Sequence, residues 1–192
     1  MSNAIFYGDN YYAWLGIKNI LRGTSIYYGM QYYAANSSPS SLPVVQNNDY
    51  LIIHPEPNNI LKYASTLRHL SSQSPLVLLV LTDAETFTVF QAICGMQMHF
   101  IDQALGLDAL LRRLTELINS KNQSVNHPLD NAISANEFNV MMMFSRGWSL
   151  TRIAHFSHKS EKTIGAYKSN IAKKLGHSNT HLKYMLSHYR QL

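Results

Sequence analysis

The chain has 192 residues, 46% of them hydrophobic and 14% charged, with a formal net charge of +5 and one cysteine. That length suits one large or two small domains with enough apolar content to form a core without staples. A single cysteine excludes an internal disulfide, no apolar run approaches the ~20 residues of a membrane span, and no signal-peptide pattern opens the chain, so a cytoplasmic protein with no membrane partner is expected.

Strand-like and helix-like stretches alternate through the first 118 residues. Ala4–Tyr7, Tyr50–Ile53, Leu76–Leu81 and His99–Ile101 are short apolar runs that read as strands. Between and after them, Ala13–Leu21, Ile60–Leu70, Glu85–Cys94 and Leu107–Ile118 have helical spacing, and a further strand is predicted over Tyr27–Tyr33. Such alternation predicts an α/β unit with a parallel sheet and helices on both faces. Cys94 is expected to pack as a small apolar residue in a helix ending at Gly95. The last helix carries Leu107, Leu110, Leu111, Leu114, Leu117 and Ile118, an apolar face wide enough to suggest dimerisation as well as core packing. The tyrosines at 27, 28, 32 and 33 suggest either a sheet edge or a contact surface.

Asn119–Asp130 is polar and contains Pro128, so residues 119–133 read as a linker between a domain at 1–118 and one at 134–192. Charge divides at the same place. Residues 1–120 hold six Lys or Arg against eight Asp or Glu, a net of −2, whereas residues 121–192 hold ten against three, a net of +7. A chain whose positive charge sits wholly in one part is built to present that part to a polyanion. Six of the nine histidines, at 127, 155, 158, 177, 181 and 188, also lie there, but without cysteine and on different predicted elements they do not suggest a metal site.

Beyond the linker four short helices are predicted. Glu137–Arg146 bears Phe138, Met141, Met142 and Phe144 and closes at Gly147. Ser149 then caps a short helix with Leu150, Ile153 and Ala154. Ser160 caps a third, Glu161–Leu175, stopped by Gly176, and Asn179–Tyr189 forms the fourth. In the third helix Ile164, Tyr167, Ile171 and Leu175 share one face and should bury. Lys162, Gly165, Ala166, Ser169 and Lys173 lie opposite, small or cationic, leaving nothing bulky to hinder approach to a duplex.

Ile133-Ser-Ala-Asn-Glu137, Arg146-Gly-Trp-Ser-Leu-Thr-Arg-Ile-Ala154, Ser160-Glu-Lys-Thr-Ile164 and Asn170-Ile-Ala-Lys-Lys-Leu-Gly176 resemble the LuxR-type (FixJ/NarL-type) helix-turn-helix domain of bacterial transcription regulators. The resemblance implies a tetrahelical domain whose third helix enters the major groove of double-stranded promoter DNA and whose fourth helix pairs two copies. It implies base-edge contacts from Gly165, Ala166 and Ser169, and phosphate contacts from Thr151, Arg152, Thr163, Lys168, Lys173 and Lys174, with Lys162 on the same face. Gly165 and Ala166 depart from the long side chains frequent in the family and offer no bidentate hydrogen bond to a base.

Joined to such a domain, the N-terminal unit resembles the receiver (flavodoxin-like) domain of response regulators. A receiver needs an acidic pair after its first strand, a phosphorylated aspartate ending the third, a hydroxyl ending the fourth and a lysine ending the fifth. These positions fall on Gly8 and Asp9, His54, Thr82 and Asp102, so only Asp9 and Thr82 remain and aspartyl phosphorylation at the degenerate phosphoacceptor position His54 is not expected. The combination is similar to the enteric capsule-type auxiliary regulators, which also carry degenerate receivers. The expected protein is therefore a DNA-binding regulator and not an enzyme, with no cofactor. It acts either as a homodimer or as a co-regulator heterodimerising with a related regulator, with RNA polymerase as a further partner. A sensor of a nucleotide second messenger has no glycine-rich or arginine-rich motif to support it.

Overall fold

The computed structural model describes residues 3–24, 26–35, 49–70, 77–120, 129–180, 182 and 186. Its N-terminal elements are β1 (Ala4–Gly8), α1 (Tyr11–Ile20), β2 (Met30–Tyr33), β3 (Tyr50–His54), a 3-10 turn at Pro57–Asn59, α2 (Ile60–Leu70), β4 (Val77–Thr82), α3 (Ala84–Cys94), β5 (His99–Asp102) and α4 (Leu107–Asn119). The five strands form one sheet in the order β2-β1-β3-β4-β5, parallel throughout. This is the flavodoxin-like order of a receiver, and it places a topological switch point between β1 and β3.

Both faces of the sheet are covered, which is why every residue of β1 and β4 is buried. On one face Ala4, Phe6, Ile52, Leu79 and Ile101 pack with Ile17 and Leu21 from α1 and its end and with Leu114, Leu117 and Ile118 of α4. On the other, Ile5, Tyr7, Leu51, Ile53, Leu78 and Val80 pack with Leu61, Tyr63 and Leu67 of α2 and Phe90 and Ile93 of α3. Helix starts follow local chemistry: the side chain of Asn10 accepts the Ala13 N–H and that of Asp83 the Thr86 N–H. Gly95 ends α3 at φ 73°, the left-handed position that glycine takes without strain.

One expectation needs correction and another is refined. The predicted strand Tyr27–Tyr33 is extended only over Met30–Tyr33, because Tyr27 and Tyr28 lie in a turn closed by the Tyr27 N–H to Thr24 carbonyl and Met30 N–H to Tyr27 carbonyl bonds. The apolar face of Leu107–Ile118 is divided: Leu114, Leu117 and Ile118 belong to the core, while Leu107 and Leu111 face solvent. A wide apolar stripe on a helix at the side of a sheet thus serves two surfaces.

Three described helices follow, α5 (Ala135–Ser145), α6 (Leu150–Phe156) and α7 (Glu161–Lys174). Each has a serine N-cap, Ser134, Ser149 and Ser160, and Ser134 forms a full capping box with Glu137. Phe138, Met141, Ile153, Ile164, Ile171, Leu182 and Leu186 close their core, which is continuous with the α2–α3 side of the sheet. Of the predicted fourth helix, Asn179–Tyr189, most residues lie outside the described ones. The polypeptide at 121–128, within the expected linker, lies outside them too, but its far end is packed, with Ile133 buried.

Candidate nucleic-acid interface

Helix α7 owes its placement to its ends and one face. Ser160 Oγ accepts the Thr163 N–H at 3.1 Å and shares a 2.8 Å hydrogen bond with the Thr163 hydroxyl. Glu161 in the first turn and Lys173 and Lys174 in the last complement the helix dipole. Ile164 and Ile171 are fully buried and Leu175 nearly so; Tyr167 is half-buried beneath the ammonium of Lys159, 6.0 Å above its ring. The predicted apolar face is therefore the one that packs.

Its opposite face stands open. Lys162, Ala166, Ser169, Asn170 and Lys173 are exposed, and Gly165 is partly so. A Cβ built on Gly165 would meet nothing within 4 Å, so no packing requirement selects glycine there. Ser169 Oγ accepts a 3.2 Å hydrogen bond from Asn179 Nδ2, leaving the serine hydroxyl hydrogen free to donate outward. Asn179 was not singled out by sequence reasoning, since its role comes from a contact ten residues away across a turn.

At the start of α6, Thr151 and Arg152 are exposed. The Arg152 guanidinium lies 4.3 Å from the centroid of Trp148, whose ring meets Phe156 edge-on at 5.2 Å. Stacking on Trp148 holds this cation in place without neutralising it. Lys168 is half-buried, lining an apolar cleft of about 270 Å³ with Trp148, Leu150, Leu182 and Leu186. The α6–α7 turn passes through His158 at φ 52°, a non-glycine in the left-handed region.

Lys174 departs from expectation. Its Nζ donates to Glu137 Oε2 at 2.7 Å and to the Ala132 carbonyl at 2.8 Å, so its charge is paired within the protein. The helical spacing that predicts α7 also turns position 174 inward, and the partner acid, Glu137, is nearly buried. Among the described residues no cluster of three potential ligands could hold a metal ion, and no helix is long and apolar enough to cross a membrane.

At the carboxyl ends of the strands, register sets Gly8 beside His54 and Thr82 beside Asp102. The space a second acid would need is tight. A Cβ on Gly8 would lie 3.0 Å from the Phe6 ring and 3.2 Å from the His54 carbonyl oxygen, and the Phe6 ring stacks between Tyr32 and His54 at 6.2 and 6.5 Å. Asp9 is held by Tyr63, whose hydroxyl donates to its carboxylate at 3.3 Å and accepts its N–H at 3.1 Å. Burial pushes the His54 imidazole down, with Glu56 opposing, and its ring lies beside that of Phe6. Asp102 accepts the Ala104 N–H at 2.8 Å where a receiver needs a lysine. Thr82 is buried.

A receiver-like α/β domain is thus followed by a capped helix-turn-helix with an open cationic face, the architecture of a DNA-binding domain joined to an α/β domain. Residues 131–186 match the family of bacterial regulatory proteins, luxR family, so the C-terminal domain is a LuxR-type DNA-binding domain. No curated protein matches the chain. Among solved structures, one of two RcsB dimers bound to two parallel DNAs is 18% identical over 98% of this chain and 96% of that one, with a TM-score of 0.49. RcsB from Salmonella enterica serovar Typhimurium bound to promoter rprA is 17% identical over 96% and 99%, TM-score 0.41. The response regulator ChrA of a heme-sensing two-component system is 19% identical over 95% and 94%, TM-score 0.39.

Proposed function

We propose that this LuxR-type regulator binds specific DNA sequences as a dimer and is not switched by aspartyl phosphorylation. The observation that carries the reading is the exposed face of α7, where Lys162, Ser169 and Lys173 stand around the small residues Gly165 and Ala166 while the opposite face is locked in the core. Lys162 and Lys173 serve the phosphate backbone, with Arg152, Thr151 and the partly buried Lys168 and Thr163 beside them. Ser169 offers a hydrogen-bond donor to a base edge, and close approach at Gly165 and Ala166 supplies shape readout. Residues 1–118 act as a pseudo-receiver, 119–133 as the connection and 134–192 as the DNA-binding unit.

Dimerisation is supported by where five of the seven exposed large apolar residues described in the N-terminal part lie. Tyr11, Tyr12 and Leu15 project from α1, and Leu107 and Leu111 from α4, the two helices that cover the same face of the sheet. Independence from phosphate is supported by the stacked Phe6 and His54 rings, which fill the space of the missing acid and nucleophile.

A second reading, favoured by the small side chains at 165 and 166, is a co-regulator that heterodimerises with a related regulator and adds little base readout of its own. Gel shifts of the purified protein on genomic fragments at ~150 mM salt separate the two. The proposed function expects discrete complexes on a subset of fragments. Uniform, salt-sensitive retardation of every fragment would leave only the co-regulator.

A further inference from the structure

Residues 132–134 are gripped from two directions. From the N-terminal part, Arg68 Nη1 on α2 donates to the Ile93 carbonyl at 2.7 Å, at the end of α3, and to the Ile133 carbonyl at 2.9 Å. The same guanidinium lies 4.8 Å from the centroid of the Phe138 ring on α5. One residue's backbone completes the contact, with the Ile133 N–H donating to the Ala92 carbonyl at 3.0 Å. Ala132 packs so near Gly95 that a Cβ there would come within 3.1 Å of the alanine methyl, at a φ of 73°. From the other side, Lys174 at the end of α7 donates to the Ala132 carbonyl and to Glu137, which in turn accepts the Ser134 N–H at 2.8 Å.

The path from the α/β domain to the last turn of the groove helix is therefore two polar contacts long: Arg68 to Ile133, and Ala132 to Lys174. Arg68 is half-buried, and its charge-assisted hydrogen bonds to two backbone carbonyls from separate segments fix the position of one against the other. Ile133 and Phe138 add an apolar seal continuous with Leu67 and Ile93. Meanwhile the exposed face of α7 remains open, so this docking orients the helix without hiding it.

We propose that Arg68 is a positioning residue for DNA recognition, holding the helix-turn-helix in one orientation on the α/β domain so that a dimer reads two half-sites at a single spacing. The inference rests on the dimeric DNA-binding reading above. Each base pair added between half-sites rotates the second by roughly 35 degrees, which a rigidly docked pair of helices cannot follow and a tethered pair can.

The test uses the full chain and an Arg68→Met variant, which keeps the aliphatic bulk and deletes the donors. Selection from random DNA should return paired half-sites at one spacing for the parent, and the same half-site sequence at several spacings for the variant. One spacing for both proteins overturns the role of Arg68 while leaving dimeric DNA binding intact; a parent chain that selects no paired sites overturns both. Amide exchange gives a reading independent of DNA. In the parent the Ile133 N–H should exchange as slowly as sheet amides such as Leu79, and in Arg68→Met faster by about tenfold or more with Leu79 unchanged. Should Arg68→Met fail to fold, exchange in the parent alone decides, because a fast Ile133 amide means that the domains are not docked.

Discussion

Lys173 projects into solvent from the last turn of α7, whereas Lys174 turns inward to Ala132 and the buried carboxylate of Glu137. Both residues were legible as cations on a basic helix; which of them stays exposed was not, because the acid that recruits Lys174 lies 37 positions earlier. The two should respond differently to alanine. Lys173→Ala should weaken DNA binding and lower the slope of log affinity against log salt by about one, with the melting temperature unchanged. Lys174→Ala should instead cost about 2 kcal/mol of stability by leaving Glu137 without its partner, less than for a fully buried pair because Lys174 keeps some solvent contact. Burial alone would raise the Glu137 carboxyl, but the hydrogen bonds from Lys174 and Ser134 outweigh it and hold it below the usual carboxylate range. A depressed folded value means that this stabilisation is complete above the unfolded carboxyl, near pH ~4.3, and disappears as pH falls through the lower folded value. Urea titrations should therefore separate Lys174→Ala from the parent at pH 7 and bring them together at the acid end.

Among the elements, those whose pattern serves one purpose were read correctly from sequence. Helix α7 has a serine cap, a single apolar face and a glycine after its end, and it lies within a residue of its predicted limits. The buried run of β4 was equally plain, since a strand covered on both faces needs no alternation. Elements under two demands were less legible. Tyr27 and Tyr28 have strong strand preference, yet backbone bonds of the turn around them take precedence, leaving Tyr28 almost wholly exposed. In α4, periodicity gives the apolar face but not its division into a core part at Leu114 and a solvent part at Leu111. Substituting arginine at each makes the division measurable. Leu111→Arg should shift sedimentation toward monomer with an unchanged circular dichroism spectrum, whereas Leu114→Arg, which puts a charge in the core, should unfold the domain. Equal dimerisation of Leu111→Arg and the parent would remove α4 from the interface.

For the whole molecule, the parallel sheet covered on both faces followed from the alternation of elements, its flavodoxin-like order only from the resemblance to a receiver, and the family match of residues 131–186 bears out the helix-turn-helix unit read from caps and apolar spacing. The seam between them did not follow, because a hydrogen bond from Arg68 to a backbone carbonyl 65 positions away leaves no periodic trace and falls at the end of a stretch whose composition says linker. The N-terminal half has the strand order of a receiver with His54 at the nucleophile position and Asp102 at the lysine position, and the proposed function holds that it is not phosphorylated. Incubation with acetyl phosphate and Mg²⁺ should leave the intact mass unaltered, and a stable adduct of about 80 Da on a carboxylate would contradict the assignment of Asp9 and His54 as a filled, inert site. The seam also holds the chain's only thiol. Cys94 is buried on α3 close to the Arg68 guanidinium, and burial pushes its thiol up, away from the reactive thiolate, with Arg68 only partly opposing. In the docked protein it should resist a thiol-specific reagent, and each opening of the seam should expose it. The native sequence thus carries its own clock: the labelling rate of one cysteine, read with and without DNA, would time how often the two halves part.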